Sequence, residues 1–141
     1  MGRLELIKGN TLLLRSANEL LKHNEISEKH GLRLTQREAT QLARVRAEEL
    51  RYHGRLEFGE GIFGKLIEAF CDSPYITSEN YFETLCALIE IFYYYKNETE
   101  EYLSDSELID YMERYFNGSC NGSLELLSTR EMDELARNLR Q

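Results

Sequence analysis

Apolar residues recur along most of the chain at intervals of three and four, the period of an α-helix with one buried side. Leu12, Leu13, Leu14, Ala17, Leu20 and Leu21 predict a helix from about Thr11 to His23. For residues 1–10 helix is favoured, with an extended segment or a short hairpin against Leu12–Leu14 as the alternative. Ala39, Leu42, Ala43, Ala47 and Leu50 mark the buried side of a second helix, ending near His53 where Gly54 suits a left-handed turn. Ile62, Phe63, Leu66, Ile67 and Phe70 predict a short helix to about Cys71, closed by Ser73-Pro74 because a proline pushes the preceding residue out of helical geometry.

The longest apolar pattern predicts a central helix from about Ser78 to Glu101. Tyr81, Leu85, Leu88, Phe92 and Tyr95 form one stripe, with Phe82, Cys86, Ile89 and Tyr93 beside it. Glu83, Glu90, Tyr94, Asn97 and Glu101 fall on the opposite side. Further helices carry Leu108, Ile109, Met112, Tyr115 and Phe116, then Met132, Leu135, Ala136 and Leu139. Between them, 117–123 is a run of turn-forming residues. Three sequences of capping-box type, Thr35–Glu38, Ser104–Glu107 and Ser128–Glu131, precede helical patterns. The reading is one all-α domain over residues 1–141, a bundle of five or six helices around residues 78–101.

Composition sharpens this. The chain has 141 residues, 42% hydrophobic and 30% charged, a globular balance. It holds a single proline where about seven would be average, which favours long, closely connected helices. No apolar run reaches the ~20 residues a membrane helix needs, and no secretion signal is readable at the N-terminus. Cys71, Cys86 and Cys120 are odd in number and widely spaced, which fits reduced thiols in a cytoplasm. Asn97, Asn117 and Asn121 sit in glycosylation-type triplets, which carry no meaning without secretion.

The net charge of −8 is uneven. Residues 1–56 hold 11 Lys/Arg against 7 Asp/Glu, net +4; residues 57–141 hold 6 against 18, net −12. That field opposes binding to nucleic acid and lets the basic part face the acidic part within one chain or between two.

Gly54-Arg-Leu-Glu-Phe-Gly59, Ala69-Phe-Cys-Asp-Ser-Pro-Tyr-Ile76 and the stretch Tyr81–Glu98 together resemble an uncharacterised family of small helical proteins from Gram-positive bacteria. The resemblance covers much of residues 20–127 and implies no activity.

Candidate chemistry is sparse. Gly59–Lys65 matches the spacing of a phosphate-binding loop, and Gly59, Gly61 and Gly64 that of a dinucleotide fingerprint. Leu66 stands where Mg²⁺ needs a hydroxyl, Glu60 would repel phosphate, and no strand precedes the motif. Glu25–Arg46 can be forced into a helix-turn-helix about Gly31, but Arg37 and Thr40 then occupy positions that should be apolar. His23, His30 and His53 lack metal-ligand spacing, and no metal, cofactor or catalytic residue is assigned. Cys71 and Cys86 are expected to be inert core thiols, and Cys120, in its polar loop, the reactive one.

Two features point to a partner. Arg37, Gln41, Arg44, Glu48, Arg51 and Arg55 step by four and three along one helix face. Tyr93, Tyr94 and Tyr95 are consecutive, so one neighbour cannot bury all three. Arg37, Arg44, Arg51, Arg55, Tyr93, Tyr94 and Tyr95 are therefore the candidate partner-binding residues. The expected function is a non-enzymatic, cytoplasmic interaction module that forms a homodimer or binds another protein. The alternatives are a small enzyme or ligand-binding bundle, with Arg44, Glu48 and His53 converging on a pocket, and nucleic-acid binding through the arginines.

Overall fold

The computed structural model describes the backbone of residues 2–57, 61–100 and 102–141, and the side chains among these from residue 12 onward. Six helices of eight or more residues appear among the described residues, with no strand. They are α1 (Gly2–Leu21), α3 (Gln36–Tyr52), α4 (Phe63–Phe70), α5 (Tyr81–Thr99), α6 (Asp105–Asn117) and α8 (Met132–Leu139). Two short pieces, α2 (Asn24–Ser27) and α7 (Leu124–Leu126), complete the order. The all-α bundle is thus as expected.

α1 begins at Gly2, well before Thr11, and the hairpin alternative for residues 1–10 is not adopted. The four-residue α2 and a 3₁₀ turn (Glu28–His30) are too short to form the first half of a helix-turn-helix. Asn24 is the strut of this connection. Its amide donates to the Leu34 carbonyl at 3.0 Å and its oxygen accepts from the Leu34 N–H at 2.9 Å. An extended segment thereby keeps its backbone satisfied while Leu32 and Leu34 enter the core.

Thr35 and Ser104 form complete capping boxes with Glu38 and Glu107. α3 ends as a Schellman turn: Gly54 adopts φ +64° and Arg55 N–H donates to the Leu50 carbonyl at 2.8 Å. α5 starts at Tyr81, not Ser78, because Thr77 and Asn80 cap each other one turn earlier. Its expected end, Glu101, lies outside the described residues. α5 packs on α3, α6 and α8, and Leu85, Leu88, Ile89 and Phe92 are essentially inaccessible, as the helical phase required.

The third capping box does not form. Ser123 is the cap, accepting from the Leu126 N–H, and the helix runs on through a π-turn, Leu127–Glu131, into α8. Thr129 Oγ1 donates back to the Glu125 carbonyl at 2.7 Å, so Ser128–Glu131 is helix interior. A π-turn spaces its backbone bonds one residue wider, and here the Tyr95 hydroxyl donates to the Ser128 carbonyl.

Candidate functional site

α3 lies between α1 and α5, and its two flanks differ. Toward α5 runs a groove of about 340 Å³, lined from α3 by Glu49, Tyr52 and His53 and from α5 by Glu90, Ile91 and Tyr94. His53 Nε2 lies 3.3 Å from Glu49 Oε2, an ion pair when the imidazole is protonated, and the Tyr52 ring meets the His53 ring edge-on at 5.0 Å. Burial raises the proton affinity of the Glu90 carboxyl, and the carboxylates of Glu49 and Glu48 raise it further. Tyr52 is 84% exposed and Tyr94 52%; Leu56, four residues past Tyr52, is 87% exposed.

Toward α1 lies a larger cleft of about 830 Å³. Its walls are apolar at Leu12, Leu13, Ala47 and Leu50, with Arg15, Arg44 and Arg51 among its charged lining. Arg46, also at this cleft, is 5% exposed. Its Nε donates to Glu57 Oε1 at 3.0 Å, its guanidinium lies 5.2 Å from the Phe63 ring centre, and the Tyr93 hydroxyl donates to the same Glu57 oxygen at 2.6 Å. Gly61, at φ +58°, passes so close that an added Cβ would stand 2.0 Å from Glu57 Oε1. Burial, then the bond to Glu57, pushes the Tyr93 phenol far above its ordinary range.

The seven partner-binding candidates therefore separate. Arg37, Arg44 and Arg51 are exposed on α3, and Arg44 bonds Gln41 at 3.4 Å. Arg55 is half-buried and pairs with Glu100 of the acidic half at 2.7 Å. Tyr93 and Tyr95 are buried, and Tyr94 alone of the three faces outward. Arg44 and Glu48 line the α1 cleft while His53 lines the α5 groove, so the convergence of these three on one pocket is not realised. His30 is exposed in the 3₁₀ turn, and His23 stands at the N-terminal boundary of α2 without a side-chain capping bond. No group of three or more His, Cys, Asp or Glu among the described residues is placed to hold a metal. Gly64 and Lys65 lie inside α4, and Gly59 and Glu60 of the phosphate-loop pattern fall outside the described residues.

Cys71 lies in the core as expected, but the other two cysteines reverse the expectation. Cys120 is 1% exposed because its loop is folded onto the core. Gly122 N–H donates to the Phe116 carbonyl at 2.8 Å, Tyr75 bonds Asn121 at 3.2 Å, and Arg130 holds the Ser119 carbonyl at 3.1 Å. Cys86, expected in the core, is the half-exposed thiol, and burial with nearby Glu90, Glu83 and Glu38 pushes its pKa up to about 11.

DUF6323, described as a family of unknown function, matches residues 19–141. The chain belongs to this family. No curated protein and no solved structure matches it. The part of DUF6323 present here includes both flanks of α3, the groove and most of the cleft. No helix among the described residues is long and apolar enough to cross a membrane.

Proposed function

We propose that this protein is a non-enzymatic, cytoplasmic module of Gram-positive bacteria whose work is to bind another copy of itself. The observation that carries the reading is the pair of exposed tyrosines lining the α3–α5 groove, Tyr52 and Tyr94. Single exposed apolar residues are ordinary, but two exposed tyrosines lining one groove are not scattered. Aromatics are enriched at the centres of protein interfaces, where they bury large area at little entropic cost. The uneven charge supports the same reading, since a basic surface on one copy has an acidic surface available on the next.

The test is sedimentation velocity on the wild type, Tyr94→Glu and Tyr102→Glu, the last an exposed tyrosine outside the groove. The reading predicts a dimer for the wild type and Tyr102→Glu and a monomer for Tyr94→Glu. Equal sedimentation of all three contradicts it.

A second reading, ligand binding in the α1–α3 cleft, draws on that cleft's volume of about 830 Å³, within the usual range for small-molecule pockets. Ala47→Phe would fill the cleft without reaching the tyrosines. Unchanged self-association of that variant separates the two.

A further inference from the structure

The α3–α5 groove carries negative charge that its surroundings leave uncompensated. Glu90 has no hydrogen-bond or ion-pair partner among the described residues, and it shares the groove with Glu49, which lies 3.3 Å from His53 Nε2. Tyr52 and Tyr94 line the same space and stay exposed. Carboxylate and aromatic faces together form the chemistry that receives a guanidinium, by paired hydrogen bonds at the edge and cation–π contact on the plane.

The other flank of α3 carries the complement. Arg51 directly precedes Tyr52, so the two side chains leave the helix at one level about 100° apart. Arg51 is exposed, lines the α1 cleft and makes no ion pair among the described residues. A two-fold axis parallel to α3 would turn each copy's arginine flank onto the other's acidic flank at that level. An axis across α3 would instead set arginine against arginine.

We propose that two copies associate about an axis parallel to α3, with Arg51 of each seated between the partner subunit's Tyr52 and the partner subunit's Tyr94 and paired with the partner subunit's Glu90. This rests on the self-association reading above and adds which residue fills the groove.

Charge reversal tests it. Sedimentation equilibrium is measured for the wild type, Arg51→Glu, Glu90→Arg and the double variant; both sites are exposed, and circular dichroism checks that helicity is kept. Each single reversal sets like charges together at both copies of the contact and should weaken the dimer at least about tenfold, while the double variant restores it to within about threefold. A dimer indifferent to the single changes, or a double variant as weak as the singles, overturns the Arg51–Glu90 pairing and leaves self-association standing. A wild type that stays monomeric overturns both.

Discussion

Successive residues on a helix point about 100° apart, and Tyr93, Tyr94 and Tyr95 meet three different surroundings for that reason. The Tyr93 hydroxyl satisfies Glu57, Tyr95 satisfies the Ser128 carbonyl, and Tyr94 is left outside. Tyr93→Phe removes a donor to a mostly buried carboxylate and should destabilise by about 1–3 kcal/mol in urea titration. Burial lifts the Tyr81 and Tyr95 phenols to about 12 and the Tyr93 phenol higher still, against an ordinary 10.0. The folded state then binds these protons more tightly than the unfolded chain. Their contribution is intact below pH 10.0 and drains away as pH rises through about 12, so the melting temperature should fall steeply above about pH 10. At the thiols, a maleimide should label Cys86 before Cys71 or Cys120. Its rate should keep rising with pH toward about 11, since the thiolate is the reactive form. Preferential labelling of Cys120 in native protein would mean that its loop is open.

Among the elements, helical period and two capping boxes were enough to read the bundle from the chain, because both are local effects of the backbone. The third box was misleading for a physical reason. Ser123 and Ser128 both precede helical patterns, and the choice between them depends on the distant Tyr95, whose hydroxyl holds the Ser128 carbonyl in the π-turn. Ser123→Ala should therefore cost about 1 kcal/mol, and Ser128→Ala less than about 0.5 kcal/mol, by chemical denaturation. Leu88→Ala, at the centre of α5, should cost ~2–5 kcal/mol. The Cys120 loop was opaque for a like reason: its composition is that of an open turn, and Tyr75 and Arg130, far off in sequence, fold it inward. Of the site, the periodicity already set Tyr94 and Glu90 outward. Arg46 was legible too, four residues after Leu42 and seven after Ala39 on the buried face, but nothing local announced its partner Glu57. That Tyr52 and Tyr94 share a groove depends on how α3 packs on α5, which no single helix encodes.

Across the whole molecule, charge and apolar exposure are arranged around one helix. α3 carries exposed arginines along its outer side, an arginine-lined cleft toward α1 and an acidic, tyrosine-lined groove toward α5. Among the described residues, Arg55 is the one of the four candidate arginines that reaches a carboxylate of the acidic half, Glu100, within the chain. Exposed ion pairs add a median of about 0–1 kcal/mol, so in the proposed dimer the tyrosines would supply the affinity and the charges the orientation. Raising salt should then weaken association only slightly. The most direct measurement is the molar mass of the unaltered chain by light scattering across micromolar concentrations at low and high salt. The account predicts twice the 16.6 kDa chain mass in both. A mass that stays at 16.6 kDa throughout would contradict it.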